Sequence, residues 1–492
     1  MTAVKPMRTP LGGDSLARTR KRFKEAGIRL PKFEELRKPG DFLKDRYRAI
    51  EQVDPNSADP LNLFRLHWYN TPSHPGLVEI PSHLVIPGEL VEIDAKIVVM
   101  LGRYFPMINA HKVLPAYACL VPRILTGDFD LDKNRAIWPS TGNYCRGGVA
   151  ISKILGCRAT AVLPEGMSAE RFNWLTNWVS HPDDILRTPG TESNVKEIYD
   201  ACHELSLDSK NVIINQFSEY GNYMAHRFVT GPALETVFNA INSSGNLRAR
   251  AFVAASGSAG TLAAGDYLKK SLGTHTCVVE ATECPTLLKN GYGDHNIQGI
   301  GDKHVPLIHN VMGTDFVIGV SDKSTDSLSV IFNTEEGQNF LAENKTLSKH
   351  SLESLTSLGL SGLSNVIASI KYAKYMGLGK DDVIMTVATD GAELYLTELE
   401  HAKHKYFNRG LNQTSLAENF GRHMLGITTD NMMELTRVDR ERIFNLGYYT
   451  WVEQQGVTIK DFDVRRSQSF WDELIDQVPI LDEQIEELNQ SL

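Results

Sequence analysis

Short apolar runs, each closed by a turn rich in Gly, Ser, Asp or Pro, recur along most of the chain. The run at residues 95–101 contains β-branched residues, which is typical of a buried strand. Several runs lead into segments that read as helices, such as residues 147–155 and 262–272. This alternation of strand, turn and helix predicts an α/β protein with parallel strands. The other predicted strands are residues 136–138, 158–163, 211–215, 251–255, 276–279 and 383–388.

The two ends of the chain follow a different pattern. Residues 31–75 are rich in Pro and charge and predict an irregular arm. Polar helices predominate over about the last ninety residues, and the final one, residues 480–492, has apolar residues at helical spacing. We expect this part to pack on the core or on a second subunit. The predicted division is an N-terminal arm at residues 1–69, a core at 70–399 and a C-terminal helical appendage at 400–492.

Composition narrows the class of protein. The chain has 492 residues, 42% of them hydrophobic, which is ample for more than one packed core. A net charge of -9 argues against a nucleic-acid or anionic-membrane partner. The six cysteines form no C-x-x-C pair, which favours thiols of a reducing compartment. Because no run is long enough to span a bilayer and no apolar segment follows the N-terminal cations, we expect a cytoplasmic enzyme.

Three polar segments could carry chemistry. Lys112 follows an apolar run, Ser140-Thr141-Gly142-Asn143 follows a predicted strand, and residues 256–261 form a small-residue loop between a strand and a helix. Small residues let backbone N–H groups approach a phosphate, and the helix N-terminus adds partial positive charge. A lysine in such an apolar cleft can lose its proton and attack an aldehyde. The alternatives are a tight turn without a ligand and an ordinary surface lysine.

The order of these segments resembles the pyridoxal-phosphate (PLP) enzymes of fold type II, the family of cysteine synthase and the tryptophan synthase β subunit. Segments starting at Gln216, Gln298, Gly359 and Asp390 look like further motifs of that family in the same order. The resemblance covers residues 70–399. It implies two open twisted-sheet α/β domains with the cofactor in the cleft between them. The smaller, mobile domain would comprise residues 110–240 and be inserted in the larger one.

The resemblance also implies roles for individual residues. Lys112 would be the catalytic residue and form a Schiff base with the cofactor, and Ser361 would face the pyridine nitrogen. Asn143 would bond the cofactor's 3-oxygen and also belong to the substrate loop. The phosphate would be held by His111, Gly257, Ser258, Ala259, Gly260 and Thr261. The substrate would be bound by Ser140, Thr141, Gly142, Asn143, Arg146, Gln216 and Gly299.

Two other groups of residues need a separate interpretation. After Asn143 the chain has Tyr144-Cys145-Arg146, where the family has small or hydroxyl residues. Arg146 could bind an acidic or strongly polar group of the substrate, but a cation on the helix surface is the favoured interpretation. Glu400, His401 and His404 could share one helical face as metal ligands, but solvent-facing residues are favoured there and no metal is expected.

The function implied by the resemblance is that of a PLP-dependent lyase or transferase. It would act on a small α-amino acid by β-elimination or β-replacement through an aminoacrylate intermediate, and we expect a homodimer. One alternative is an ammonia-lyase or dehydratase of the same fold that acts on a hydroxy- or diamino acid. A second is a non-catalytic protein of this fold that serves as a scaffold.

Overall fold

Two β-sheets organise the part of the chain that the computed structural model describes, which is residues 13–72, 76–301, 303–345 and 347–492. The larger sheet has the strand order β1-β2-β10-β7-β8-β9-β11, and the smaller one β5-β4-β3-β6. The strands are β1 (His83–Val85), β2 (Lys96–Leu101), β3 (Arg135–Pro139), β4 (Arg158–Pro164), β5 (Ile185–Thr188), β6 (Asn211–Ile213), β7 (Arg248–Ala255), β8 (His275–Ala281), β9 (Phe316–Val320), β10 (Asp382–Ala388) and β11 (Met432–Glu434).

Parallel pairing dominates both sheets. Strands β2, β10, β7, β8 and β9 run parallel in the larger sheet, and so do the strands of the smaller one. Only the edge strands β1 and β11, among the described residues, pair antiparallel. The predicted α/β fold with parallel strands is therefore confirmed. The sequence patterns did not indicate β1, β5, β9 and β11.

The central strands of the larger sheet are buried on both faces. In β2, Ile97 and Val99 pack in one hydrophobic cluster, whereas Val98 and Met100 pack in the other. A parallel strand covered by helices on both faces has no solvent side, so its sequence shows a continuous apolar run instead of alternation. This explains why the run at residues 95–101 is such a clear strand signal.

Helices cover both faces of the two sheets. Among the described residues, no helix is both long enough and apolar enough to cross a membrane. The helices between residues 80 and 380 are Gly88–Val91, Val113–Thr126, Asn143–Leu155, Ala169–Trp178, Val195–Ser206, Tyr220–Ala225, Gly231–Ile241, Ala263–Leu272, Thr286–Lys289, Asp322–Asn333, Glu335–Lys345, Lys349–Leu355 and Leu360–Met376.

The N-terminal arm is more regular than its composition predicts. After the helix Asp14–Ala26, three short helices follow at Phe33–Arg37, Pro39–Phe42 and Lys44–Ile50, so the expectation of irregular chain is wrong there. Pro39 starts a helix because its fixed φ suits the first turn, where its missing N–H costs nothing. Residues 1–12 of the predicted arm lie outside the described residues.

Helices also predominate at the C-terminal end, as predicted, and the last one joins the N-terminal arm. The side chain of Asn489 accepts from the N–H of Leu30 at 3.0 Å and donates to its carbonyl at 2.8 Å. Asp482 accepts from the N–H groups of Phe33 and Glu34. The helices of this end are Leu396–Tyr406, Gln413–Phe420, Arg437–Tyr448, Ile459–Asp463, Gln468–Ile475 and Val478–Gln490.

Candidate active site

A cavity lies where the carboxyl ends of strands from both sheets meet. Loops that follow β3, β7 and β10 supply much of its wall, as expected for ligand sites in open α/β sheets. The lining residues are Lys112, Ser140, Thr141, Asn143, Tyr144, Gln216, Phe217, Ala254, Ala255, Gly257, Ser258, Ala259, Thr261, Gln298, Gly299, Ile300, Ser361, Asn365, Val387, Thr389 and Asp390.

Most of the residues predicted from the sequence lie together in this cavity. Lys112, Ser140, Thr141, Asn143, Gln216, Gly257, Ser258, Ala259, Thr261, Gly299 and Ser361 all line it. His111, Gly142, Arg146 and Gly260 are not among the lining residues. The roles assigned to all of these residues stay predictions, but eleven of them share one cavity although they are up to about 250 positions apart in the sequence.

Lys112 lies just before the first residue of a helix, and its side chain reaches the small-residue loop. It precedes the helix Val113–Thr126, and its Nζ donates to the Oγ of Ser258 at 3.3 Å. The preceding segment pairs with the end of β10 through a bridge between Ala110 and Asp390 and a bond from the N–H of His111 to the carbonyl of Thr389. The strand end therefore determines where the lysine enters the cavity.

The loop after β7 has the features of an anion site. In the described part of the chain, the N–H groups of Gly257, Ser258 and Ala259 have no hydrogen-bond acceptor. Ala259 has a left-handed φ of 65°, and the helix Ala263–Leu272 follows. An added Cβ on Gly257 would lie 2.4 Å from the carbonyl oxygen of Gly299, which explains the need for glycine there. Orphan N–H groups at the start of a helix fit a phosphate.

The turn after β3 is supported from beneath by an arginine. Gly142 has a φ of 146°, and a Cβ there would lie 2.6 Å from the Cδ of Arg171. The hydroxyl of Ser140 accepts from the N–H of Gly142 at 3.0 Å. Thr141 offers its carbonyl to the Arg171 guanidinium at 3.3 Å. Glycine is required because the turn lies directly against this buried side chain.

Asn143 is oriented by two buried charged residues. Its Nδ2 donates to Asp390 at 2.6 Å, and its Oδ1 accepts from the Nη1 of Arg146 at 3.0 Å. These two bonds fix which way the amide faces. Asn143 is also the first residue of the helix Asn143–Leu155, three positions before Arg146, so the two side chains lie on the same side of the first turn.

Arg146 is neither a surface cation nor a lining residue of the cavity. Its side chain is only 2% exposed, and its Nη2 donates to the carbonyl of Ile108 at 3.0 Å. The guanidinium lies 5.0 Å from the centre of the Trp174 ring. The surface interpretation favoured for Arg146 is therefore wrong. Its contacts are those of a residue that supports Asn143.

His111 is packed behind the cavity against other rings. It is fully buried, with its ring centre 4.9 Å from that of His226 and 5.5 Å from that of Trp68. Burial, together with His226 and Lys112, holds the pKa of His111 well below its usual value, so the imidazole is neutral. A phosphate contact from His111 stays a prediction.

Sequence patterns missed a buried polar network that joins several of these loops. Besides its contacts with the turn, Arg171 donates to the Oε1 of Gln298 at 2.6 Å and to the hydroxyl of Tyr395 at 3.0 Å. Tyr395 in turn donates to Asp390 at 2.8 Å. Among the described residues, the Oδ1 of Asp390 has no hydrogen-bond partner. Asp390 thus brings one unsatisfied carboxylate oxygen to the wall of the cavity.

Glu192 is a second buried acid beside this network. Burial raises its pKa to about 7, while Arg171 and hydrogen bonds from Thr141 and from the N–H of Gly299 act in the opposite direction. Both Thr141 and Gly299 line the cavity. No sequence signal identifies Glu192, because a single acid in a polar loop is normally exposed to solvent.

Comparisons with known proteins agree with this geometry. Residues 97–338 match the family described as pyridoxal-phosphate dependent enzyme. Cysteine synthase B of Campylobacter jejuni is 32% identical over 256 residues, which is 51% of this chain and 75% of that protein. A cysteine synthase of Staphylococcus aureus is 29% identical over 261 residues, or 53% of this chain and 74% of that protein.

A solved structure extends the likeness to the fold. The O-acetylserine dependent cystathionine β-synthase of Helicobacter pylori superposes with a TM-score of 0.52 at 21% sequence identity. The match covers 65% of this chain and 95% of that one. The two-sheet architecture with a cavity between the sheets is therefore that of fold type II, as predicted.

Proposed function

Because the chain belongs to the pyridoxal-phosphate dependent enzyme family, together with cysteine synthases, we propose that it exchanges or removes a substituent on the β-carbon of an α-amino acid. Pyridoxal phosphate is its cofactor. The observation that carries the proposal is the 3.3 Å contact between the Nζ of Lys112 and Ser258 of the anion-binding loop. It brings the only lysine of the described cavity wall next to the proposed phosphate site.

The residues present fit this cofactor. Three N–H groups that have no acceptor among the described residues, those of Gly257, Ser258 and Ala259, would hold the phosphate. Lys112 would attach the aldehyde carbon, and Asn143 would contact the ring oxygen. Ser361 lies in the first turn of the helix Leu360–Met376 and would face the ring nitrogen. When bound, the cofactor withdraws electrons from the α-carbon of the amino acid and so makes its C–H bond acidic.

Lys112 then acts as the general base. Its Nζ takes the proton from Cα and returns it after the β-substituent has left with its bonding electrons and a nucleophile has bonded to the β-carbon. A lysine suits this task because a buried ammonium gives up its proton far more readily than a guanidinium does.

Orientation of the amino acid is the task of the turn after β3. Ser140, Thr141 and the N–H groups of that turn would bind the α-carboxylate, and Gln216 donates to the hydroxyl of Ser140 at 3.4 Å. Rotation about one bond decides which substituent of Cα stands perpendicular to the ring. Fixing the carboxylate therefore selects the C–H bond, and such orientation is worth several kcal/mol, about 7 to 11 in the most favourable cases.

The choice between replacement and elimination depends on whether a second substrate enters. The relatives are cysteine synthases, and one solved neighbour is named as O-acetylserine dependent, so we favour β-replacement by a sulfur nucleophile. A hydroxyl partner such as Ser361 leaves the ring nitrogen largely without a proton, which supports chemistry at the β-carbon over transfer of the amino group. The lyase and scaffold alternatives have no comparable support.

The test is a two-arm assay on the purified protein loaded with pyridoxal phosphate. One arm supplies O-acetylserine with sulfide, or with homocysteine, and measures formation of the new thiol or thioether amino acid. The other supplies serine, threonine or 2,3-diaminopropionate alone and measures release of a 2-oxo acid and ammonia. Product in the first arm only is the expected result.

The outcomes separate the candidate functions. Release of an oxo acid without a second substrate would show that the protein is an ammonia-lyase and not a synthase. A protein that binds the cofactor but changes neither its absorbance nor any amino acid across the panel would overturn an enzymatic function. The Lys112→Ala variant serves as the background for both arms.

Three features of the whole protein complete the proposal. We place the smaller domain at residues 110–240 within a core of residues 70–399, and we expect a cytoplasmic homodimer. Light scattering during size-exclusion chromatography measures the mass directly, against 54.8 kDa for a single chain. A monomer at micromolar concentration would remove the dimer from the proposal, and recovery outside the cytoplasm would remove the location.

A further inference from the structure

The residues that follow the family match include a segment that packs on a loop of the cavity. We call residues 437–475 the brace; it contains the helices Arg437–Tyr448, Ile459–Asp463 and Gln468–Ile475. We call residues 282–315, which connect β8 to β9, the cavity loop. Within the described part of this loop, regular structure is limited to one short helix and one 3₁₀ turn. Gln298 and Gly299 of this loop line the cavity.

Side chains of the brace bind the main chain of the cavity loop. Trp451 donates from its indole nitrogen to the carbonyl of Val305 at 2.7 Å. Arg465 donates from Nη1 to the carbonyl of Leu307 at 2.8 Å. Two further bonds run from Arg440 to the carbonyl of Thr314 at 2.7 Å and from Arg442 to that of Leu287 at 2.8 Å. Val305, Leu307 and Thr314 lie outside the helices and strands, so the brace provides the hydrogen-bond partners that secondary structure would otherwise provide.

An aromatic cluster carries the contact to the cavity wall. The His304 ring lies 5.7 Å from the Trp451 ring, 5.0 Å from the Phe217 ring and 5.6 Å from the Tyr199 ring, measured between ring centres. The hydroxyl of Tyr199 and the Nε2 of His304 are 3.0 Å apart. Phe217 lines the cavity, next to Gln216. Trp451 therefore packs on a cluster that reaches the cavity wall at Phe217.

The middle of the cavity loop, around residues 298–301, is attached to the anion-binding loop. The N–H of Gly301 donates to the carbonyl of Ser256 at 2.8 Å. Gln298 is held by Arg171 at 2.6 Å. Residues 298–299 are thus held directly beside the cavity, while the chain that follows them is held by the brace at Val305 and Leu307. Loss of the brace contacts removes these two bonds and loosens the part of the loop that follows the cavity residues.

We propose that Trp451 and Arg465 are positioning residues for the reaction, because their N–H groups hold the cavity loop so that Gln298 and Gly299 face the substrate. This inference rests on the proposed function, which it extends to a part of the chain beyond the family match. Neither residue touches the cavity itself.

The chain offers matched controls for both residues. Trp471 is as buried as Trp451, but its indole nitrogen donates to the carbonyl of Arg465 within the brace. Arg466 adjoins Arg465, is partly exposed and pairs with Glu441 and Asp463. The experiment therefore compares Trp451→Phe with Trp471→Phe and Arg465→Met with Arg466→Met. Arg465→Lys tests whether a shorter donor restores part of the effect.

The first measurement is hydrogen–deuterium exchange in peptides that span the cavity loop, because exchange reports local opening without any need for turnover. Trp451→Phe and Arg465→Met should accelerate exchange around residues 297–308 by about tenfold, the change expected for one lost buried hydrogen bond. The controls should leave that loop as in the wild type while lowering the thermal midpoint by a similar amount. Equal exchange in test and control variants would overturn the proposal.

The second measurement determines KM and kcat separately for each variant, in whichever arm of the assay gives product. KM should rise by about fivefold to tenfold in the two test variants and stay unchanged in the controls. If the wild-type protein turns over no amino acid, the proposed function fails on its own. The exchange result, together with the dissociation constant of pyridoxal phosphate from each variant, then still decides whether the brace holds the loop.

Discussion

The Nη1 of Arg171 lies 2.6 Å from the Oε1 of Gln298, and this contact joins a helix beside the smaller sheet to a loop of the larger one. Arg171 starts in the helix Ala169–Trp178, passes beneath the turn at Gly142 and ends between Gln298 and Tyr395. A guanidinium can do this because its donors point in several fixed directions. One cation thus contacts the turn after β3, the loop at Gln298 and Tyr395, which in turn bonds Asp390 of the cavity wall.

Replacement of Arg171 by lysine should therefore damage substrate binding while keeping the charge. A lysine cannot hold Gln298, Tyr395 and the Thr141 carbonyl together, and loss of one charged hydrogen bond costs about 1.5–3 kcal/mol. We expect KM for the amino acid to rise by roughly 10- to 100-fold. Arg187→Lys is the control, because Arg187 is exposed and only covers the ring of Phe172. Similar kinetics in both variants would contradict the proposed link.

Lys112→Ala should abolish covalent attachment of the cofactor while the protein stays folded. Lys112 reaches the loop at Ser258 from the position just before the helix Val113–Thr126, and alanine at that position keeps the backbone of the helix. Borohydride reduction of the wild-type protein followed by peptide mapping should place the pyridoxyl group on residue 112. Lys153 is exposed on a neighbouring helix, so the Lys153→Ala variant should carry the pyridoxyl group at the same residue as the wild type. A pyridoxyl group on any other lysine would refute the assignment.

Ser258→Asp should weaken retention of the cofactor. The new carboxylate would stand among the N–H groups of Gly257 and Ala259, which have no acceptor in the described chain, and would repel the phosphate. We expect the dissociation constant of pyridoxal phosphate to rise by at least about 100-fold, measured by fluorescence titration. Ser271→Asp, at the exposed end of the following helix, should bind the cofactor normally. Unchanged affinity in the first variant would exclude this loop as the phosphate site.

Arg146→Met should lower kcat equally for acidic and neutral amino acids. The sequence suggested a direct contact between Arg146 and an acidic substrate as one interpretation, but its side chain supports Asn143 from behind. Without that support the amide of Asn143 can rotate, and we expect a loss of roughly tenfold in turnover for any substrate. A much larger effect on acidic substrates, seen by comparing KM across a panel of ligands, would restore the direct contact.

The protein should also lose stability as Glu192 ionises. Burial raises the pKa of this carboxyl from the ordinary 4.5 to about 7, so the folded state holds its proton more tightly than the unfolded chain does. This contribution to the free energy of unfolding is present below pH 4.5, falls as the pH rises to 7 and changes no further above it. The glutamine of Glu192→Gln cannot ionise. The difference between the thermal midpoint of this variant and that of the wild type should therefore increase in favour of the variant as the pH rises from 4.5 to 7. Exposed Glu204→Gln should track the wild type, and a constant difference for Glu192→Gln would contradict the prediction.

Much of the fold can be predicted from local sequence patterns because its central strands consist largely of apolar residues. Strands β2, β7 and β10 are buried on both faces, and their apolar runs are unmistakable. Edge strand β1 has only three residues and β5 is only partly buried, so neither contains enough apolar residues for a signal. The helix Val113–Thr126 was missed because it is apolar on nearly all sides and contains Pro122, which hides its periodicity.

Some residues of the candidate site could likewise be predicted from the sequence, and others could not. Lys112, Asn143, Ser258 and Ser361 were found because each sits in a motif with a characteristic order along the chain. Arg171 and Glu192 were not, because an isolated charged residue in a polar stretch resembles every exposed charge of its kind. Their importance comes from contacts between segments about 130 or more positions apart, such as that of Arg171 with Gln298. No local pattern encodes such contacts.

The junction between Asn489 and Leu30 bears on how the polypeptide matures in the cell. The main chain at Leu30 finds its partners 459 positions later, so the arm cannot complete its hydrogen bonds until residue 489 has been translated. At ordinary rates of synthesis that interval is about 20 to 90 s. During this time the apolar side of the arm has no C-terminal helix to cover it. The nascent chain is therefore expected to expose the apolar side of the arm to solvent, and docking of the helix Val478–Gln490 ends that exposure.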